Sequence, residues 1–434
     1  MIKKIIKGLV VTVYRCLTHL IPVKKGLVVF DSFMGKSYSG SVRAVYEYLS
    51  DHKPGAQYTP VWVFTREALK KGLPDSPDSR MVTYGTISYY ILMSRACLWV
   101  FDTRHEAYLV KKKKQRYLQT WHGTPLKKLG ADIDIFSMKA ENAGKTDGKA
   151  LQKYKDKVAA ESAKWDVLIS ASTFTTEVFR RCFSYDGEIL ECGYPRNDVL
   201  FINDLGDSKV GSGADNSPGN GTENNGSKTG INVEVSADNS AAPKKTLLYA
   251  PTWRDDIHSG EGWWYGYDPS LDIKALEDAL GSEWRLVVKL HYLVKYDKDA
   301  FPESSVKSGF LRIADSGEDI AGLMKNADAV ITDYSSVMFD YALLDRPMFF
   351  YVYDLERYRD KLRGWYFDFE KEAPGPMSRD TEGLIKDIKS TGCNPGETRR
   401  WSEKRRAFRA KFAAFEDGHA AERIAQKIGS WLRG

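Results

Sequence analysis

Cysteine is scarce in this chain of 434 residues: five are present, Cys16, Cys97, Cys182, Cys192 and Cys393, with no CxxC pair among them. Such spacing argues against a disulfide framework or a zinc site and fits a reducing compartment. Histidine is rarer than expected for a metalloenzyme: there are seven, and no HExxH run joins any two. No GxSxG elbow and no GxGxxG dinucleotide fingerprint occurs. Gly35-Lys36-Ser37 has the tail of a phosphate-binding loop, but Phe30 stands where that motif needs its first glycine. The longest apolar run near the N-terminus, Gly8 to Val13, is far short of the roughly 20 residues that cross a bilayer. No small-residue cleavage site follows it before Pro22, so a signal peptide is not expected.

The charge that is present is unevenly placed. Residues 1–25 hold Lys3, Lys4, Lys7, Arg15, Lys24 and Lys25 without an acid, which accounts for the whole net charge of +6. A second basic stretch runs from 396 to 434, where ten Lys/Arg face five Asp/Glu. As a helix, residues 1–25 would show a broad apolar face (Ile2, Ile5, Ile6, Leu9, Val13, Leu17, Leu20) edged by lysines. That pattern predicts a basic amphipathic helix lying on an anionic membrane surface. The competing reading is a helix packed on its own domain.

From 26 onward, short apolar runs alternate with helix-length segments. Leu27–Phe30, Val61–Phe64, Met81–Tyr84, Leu98–Phe101, Tyr117–Thr120, Val167–Ile169 and Glu188–Glu191 are the expected strands of a first α/β domain, 26–202. Residues 203–245 then lack Phe, Trp and Tyr and are rich in Gly, Ser, Asn and Asp, the composition of a disordered linker or insertion. Two Asn-Gly-Ser/Thr matches there are taken as chance. Thr246–Ala250, Leu286–Lys289, Ala329–Thr332 and Met348–Val352 restart the alternation in a second α/β domain, 246–395, followed by a basic helical segment, 396–434. The fold class is therefore α/β, with two halves that would leave a cleft between them.

Candidate chemistry gathers at the ends of these strands. Gln119-Thr-Trp-His122-Gly-Thr-Pro-Leu-Lys-Lys128 puts a histidine on a glycine turn just after a strand, where open α/β sheets keep their ligand crevices. Histidine is suited to proton transfer near neutral pH, and the lysines beside it suit a phosphorylated substrate. Ser335 and Ser336 stand between a strand and a helical pattern, where Asp333 or Ser335 would cap the helix. The same geometry suits an anion. Thr252 and Arg254 follow a third strand, and Arg254 offers a planar donor pair for phosphate. Lys289 and His291 close a fourth, and Arg196 lies near the end of the first half. The loop 32–40 is expected to line the cleft, whereas Lys127 and Lys128 are expected only to guide an anion or be solvated. The acid pairs Asp255-Asp256 and Asp102 with Asp132 or Asp134 have generic spacing, and no metal is called for.

Together, QTWHGTPLKKLG, YAPTWRDD, KLH at 289–291 and the block DYSSVMFDYALLDRPMFFYVYDLERYRDKLRGWYFDFEKEAPGP resemble the CDP-glycerol glycerophosphotransferase family of teichoic acid synthesis. The stretch VVFDSFMGKSYSGSVRAVYEYL fits too, and the resemblance spans nearly all of 26–395. It implies a GT-B-like architecture of two facing Rossmann-like domains, with the donor held mainly by the second. It also implies peripheral attachment at the cytoplasmic face of a bacterial membrane. The reaction implied is transfer of glycerol phosphate from CDP-glycerol to a polyprenyl-diphosphate-linked acceptor, with release of CMP. No cofactor, metal or nucleic-acid partner is implied. On this reading His122 deprotonates the acceptor hydroxyl, with His291 as the second catalytic histidine and the two able to exchange roles. Arg254, Lys289, Thr252, Ser335, Ser336 and Arg196 bind substrate, and Asp340 positions the glycerol or ribose. Another CDP-polyol such as CDP-ribitol, a nucleotide-sugar donor, or a silent membrane scaffold for the polymer are the competing readings.

Overall fold

The structure, a computed structural model, describes residues 2–52, 57–72, 77–133, 148–202, 243–252, 254, 265–267, 270–291, 294–296, 300–315, 317–359, 364–391 and 395–434. Segment 203–242, most of the expected linker, lies outside them, as do the Asp255-Asp256 pair and Cys393.

Seven strands form the first sheet: β1 (Lys24–Asp31), β2 (Thr59–Phe64), β3 (Arg80–Thr83), β4 (Ala96–Phe101), β5 (Arg116–Gln119), β6 (Val167–Ser170) and β7 (Glu188–Glu191). All pair in parallel in the order β3-β2-β1-β4-β5-β6-β7. Their apolar centres are buried on both faces because crossover helices cover each side, which is why they read as continuous apolar runs. Thr65, Thr86 and Ser172 each accept a backbone N–H at the start of the next helix, satisfying a donor the helix cannot.

The second half repeats the plan. Its strands are β8 (Lys245–Tyr249), β9 (Tyr265–Gly266), β10 (Trp284–Val288), β11 (Val294–Lys295), β12 (Leu311–Ile313), β13 (Ala329–Thr332), β14 (Met348–Tyr351) and β15 (Met377–Ser378). Six make a parallel sheet ordered β12-β10-β8-β13-β14-β15, and β9 with β11 forms a separate ribbon. Both large sheets reverse strand order beside their first strand, so each has a ligand crevice at the carboxyl ends of its central strands. The expected strands are present within a few residues at each end. The short strands β12 and β15 were not anticipated.

The chain does not stay in two separate halves after 395. Helix Pro395–Phe412 places Phe408 and Phe412 against Phe339 and Phe367 of the second domain, and Phe412 also meets Phe174 of the first, 4.8 Å away. Helix Ala420–Arg433 then returns to the first domain, burying Ile424, Ile428 and Leu432 in its core. Its first turn is capped by Asp198, which accepts from Ala420 N and Ala421 N. The basic stretch is thus largely a packed, ion-paired element and not an open cationic surface. Arg405 bonds Asp345 and Lys411 bonds Glu372.

At the N-terminus, helix Ile2–Leu17 lies against helix Ile87–Arg95. Tyr14 is buried, its ring 5.1 Å from that of Tyr90, and the Thr18 and Ser94 hydroxyls share a hydrogen bond. Leu9, Val10, Val13 and Leu17 on the helix and Leu20 beyond it remain exposed. Among the described residues, no helix is long and apolar enough to cross a membrane.

Candidate active site

His122 sits three residues beyond β5, on a turn that needs unusual backbone. Trp121 takes a left-handed conformation, with its ring packed on Phe179 and Phe183, and this swings the histidine out over the crevice. The imidazole Nδ1 lies 2.9 Å from the carbonyl oxygen of Asp102 at the end of β4. A carbonyl can only accept, so Nδ1 carries the proton and Nε2 keeps its lone pair. Burial, with Arg196 and Arg104 adding to it, holds the imidazole down to about 4, so it is neutral at pH 7. The Asp102 side chain below is tied to Ser32 Oγ and Phe33 N, and burial raises it to about 7.

The loop after His122 leaves its own domain. Leu126 is buried in the core of the second domain, Lys127 bridges Trp365, and Lys128 N donates to Gly364 O at 2.8 Å. Gly123, at φ +143°, marks the crossing point: a Cβ there would lie 3.0 Å from Arg196 Nη2 and 3.5 Å from Ser336 Oγ. His122 is therefore held by both domains.

Across the cleft, His291 follows β10. Burial first, then Lys127, His122, Lys36 and Lys289, pull its imidazole down to about 3. Lys127, His122, Lys36 and Lys289 are thus all near enough to His291 to disfavour its protonated form. Lys127, expected to guide an anion or be solvated, contributes to this effect, with its ammonium 4.8 Å from the Tyr358 ring centroid. Lys36 contributes as well, from the loop 32–40 that was expected to line the cleft although it fails the nucleotide motif. Phe33, Met34 and Gly35 all have positive φ, and Gly35 N donates to Asp31 Oδ1. That tight turn, with Gly35 packed against the Phe64 backbone, presents Lys36 to the cleft. Lys289 leans away, its ammonium donating to Asp315 O.

Three expected substrate-binding groups are otherwise occupied. Arg254 is 3% exposed, paired with Asp333 through Nη1 and with Asp354 through Nε and Nη2, and its Nη1 also donates to Thr252 O. Tyr334, Tyr353 and Tyr358 enclose it. Two carboxylates already balance its charge, so it braces the cleft floor instead of offering an open fork. Arg196 donates to the His122 carbonyl and to Asp340 Oδ2, both at 2.5 Å. Asp340, expected to face substrate, is instead the buried acceptor of that interdomain pair and of Asn197 Nδ2. Asp132 is likewise committed, to Arg181 and the Tyr366 hydroxyl.

Ser335 and Ser336 are half-buried at the start of helix Val337–Tyr341. Ser335 Oγ accepts weakly from Val337 N at 3.4 Å, whereas Asp333 does not cap but accepts from Thr252 N and Arg254. The nearby cleft is lined by Thr252, Tyr267, His291, Asp333 and Tyr353 among others.

Glu416 is a group that sequence reading missed altogether. It is buried beneath the Arg196–Asp340 pair, accepts from Tyr194 N and Asn197 Nδ2, and keeps Oε2 without a partner. Burial, then Asp340, raises it to about 8 from an ordinary 4.5. Between those values the folded chain holds a proton that the unfolded chain has lost, so stability falls as pH rises. Glu416→Gln is expected to flatten that slope, raising stability above pH 8 by about 1–3 kcal/mol relative to the parent. Thermal melts of both proteins at pH 6.5 and above check it, because the lowered histidines act only below that range.

The fold and site define a two-domain α/β transferase in which a neutral histidine faces a cationic, phosphate-compatible crevice. Comparison with known proteins makes this specific. Residues 13–212 and 224–430 match the family described as CDP-Glycerol:Poly(glycerophosphate) glycerophosphotransferase, and the chain belongs to that family. It is 38% identical to a teichoic acid glycerol-phosphate transferase of Staphylococcus aureus (98% of each chain). It is also 36% identical to a teichoic acid poly(glycerol phosphate) polymerase of Bacillus subtilis, covering 98% of this chain and 52% of that one. The solved wall teichoic acid polymerase TagF superposes with a TM-score of 0.76 at 32% identity, covering 98% of this chain and 93% of that one. A histidine variant of TagF soaked with CDPG matches equally, at 31% identity over 100% and 98% of the two chains.

Proposed function

We propose that this GT-B-like chain transfers glycerol phosphate from CDP-glycerol to a hydroxyl of a polyprenyl-diphosphate-linked teichoic-acid-type acceptor, releasing CMP. The transfer takes place at the cytoplasmic face of the membrane, on which the exposed apolar face of the N-terminal helix rests. The observation that carries the reading is His122 with its Nδ1 on the Asp102 carbonyl, which leaves the lone pair on Nε2, in an imidazole that burial keeps neutral.

In this mechanism His122 Nε2 takes the acceptor hydroxyl proton as the oxygen attacks the phosphorus bearing glycerol. The bond from that phosphorus to the bridging oxygen breaks, and CMP departs. Charge on the diphosphate oxygens is met by His291, Lys36 and Lys127, because phosphoryl transfer depends mainly on positioning and electrostatics, while Lys289 holds the Asp315 carbonyl at the strand end. Ser335 and Ser336 donate to the donor phosphates, and Thr252 lines the same crevice. Arg254, Arg196 and Asp340 act as positioning residues, holding the loops that carry these groups.

Purified protein given CDP-glycerol and a lipid-linked acceptor should release CMP and extend the acceptor by glycerol phosphate units, counted by mass spectrometry. Turnover of CDP-ribitol instead, or UDP release from a UDP-sugar, would replace this reading, and polymer binding without CMP release would leave only a scaffold. The histidine environment adds a second expectation. The kcat/KM for CDP-glycerol reports the free enzyme and should show no His122 limb at the ordinary histidine value, since that limb lies near 4, and a change near 7 would belong to Asp102. A limb centred near 6.5 that persists in Asp102→Asn would mean that the His122 imidazole keeps its ordinary value, and the base assignment would then rest on substitution of His122 alone.

A further inference from the structure

A second cavity, of about 200 Å³, opens on the first domain at the amino ends of the strands, away from the His122 crevice. Lys24 and Arg80, the first residues of β1 and β3, and Arg95, the last of helix Ile87–Arg95, form its cationic rim. Leu27, Val82 and Leu92 make a buried apolar wall, and the exposed Ser88 and Ile91 stand at its mouth. Among the described residues, no carboxylate lines it. Among the described residues, none of the three cations takes part in a hydrogen bond or ion pair.

Elsewhere on this protein, basic side chains are commonly answered by acids, as at Arg405, Lys411 and Lys427. Three unanswered cations over an apolar wall therefore fit a ligand that is anionic at one end and apolar at the other. Guanidinium groups suit phosphate oxygens, which accept two parallel N–H bonds from one side chain. The surroundings indicate the source of that phosphate. Ile87 and Ile91 project from the same helix, 78% and 42% exposed. The N-terminal helix is fastened to that helix through Tyr14–Tyr90 and Thr18–Ser94, with Leu9, Val13 and Leu17 unburied. A helix lying in the interface would bring the rim to the depth of lipid phosphates.

We infer that this cavity is a headgroup site for an anionic phospholipid, seated beside the N-terminal helix and separate from the catalytic cleft. The inference rests on the membrane reading above. Three polar contacts, from Lys24, Arg80 and Arg95, hold the phosphate, while Ile87 and Ile91 meet the start of the acyl chains.

Full-length protein should be titrated with vesicles of phosphatidylcholine alone and with phosphatidylglycerol added. The preference for phosphatidylglycerol is expected to fall about 30-fold in Arg80→Gln/Arg95→Gln, the loss of two basic contacts at an anionic surface. Ser88→Trp keeps every charge but fills the mouth, and should reduce the same preference. Lys113→Gln/Lys114→Gln removes two exposed charges that do not line the cavity, and should retain most of the preference. An equal loss in that control would show diffuse attraction and overturn the site, as would an unchanged Arg80/Arg95 variant. Inorganic phosphate that protects the parent but not the Arg80/Arg95 variant from thermal unfolding, without a phosphatidylglycerol preference, would reassign the cavity to a soluble phosphate. Parent protein that binds neither vesicle overturns the membrane reading itself. Binding to both equally, abolished by Leu9→Ser/Val13→Ser, preserves that reading and overturns only the cavity assignment.

Discussion

Replacing His122 with alanine is expected to lower kcat for CDP-glycerol turnover by about 10²–10⁴-fold, the usual contribution of a positioned general base. The KM for the donor should change little, because the imidazole acts on the acceptor proton and the donor is met by other groups. His122→Asn is a useful companion. Its amide can still donate to the Asp102 carbonyl, which keeps the turn in place, but it offers no basic nitrogen. Single-turnover CMP release separates the chemical step from binding. Near-parent rates in both variants would transfer the role of base to His291 or to a group not yet considered.

Arg254→Ala should act on stability before it acts on binding. Removing the guanidinium leaves Asp333 and Asp354 facing each other around an emptied site, and breaking a buried pair in this way costs about 3–5 kcal/mol. For a domain of this size each kcal/mol lowers the melting temperature by roughly 2–4 °C, so a fall of about 10 °C is expected. Arg254→Lys should recover only part of it, since one ammonium cannot reproduce bonds made from Nε, Nη1 and Nη2. Differential scanning calorimetry and donor KM measured on the same preparations distinguish the roles. A large rise in KM at an unchanged melting temperature would return Arg254 to phosphate binding.

Much of this site was legible in the chain. His122, His291, Ser335 and Ser336 were located because each follows an apolar run that could only be a buried strand, and strand ends in such sheets face ligand. Arg254, Arg196 and Asp340 were also located, but their ion-pair partners were not foreseen. An arginine at a strand end looks available until its carboxylates are found, and Asp354 lies 100 residues beyond Arg254. Loop 32–40 was expected to line the cleft, but Lys36 itself was not singled out; its turn is a run of positive φ angles with no unique residue code. Glu416 carried no signal, since a single acid near a C-terminus is ordinarily solvated. Strands β12 and β15 span three and two residues, too short for any periodicity to register.

The two termini make the same point. Both ends looked basic, yet the C-terminal helices spend much of that charge on Asp345, Glu372, Glu188 and Asp417 while their apolar faces tie the two domains together. At the N-terminal end, Leu9, Val13 and Leu17 stay exposed.

By itself the amino-acid sequence determined two α/β halves, the strand ends where chemistry gathers, and a histidine beside cations. Those properties are local, written in hydrophobic period and turn chemistry over a dozen residues. Only the tertiary structure decided which charges are neutralised by buried partners and which stand beside the cleft. The loop carrying His122 crosses into the second domain, Arg196 and Asp340 pair between the domains, and Arg254 is neutralised, whereas Lys36 and Lys127 join the cleft. Charge availability depends on distance and burial, and neither exists until separate segments of the chain are packed together.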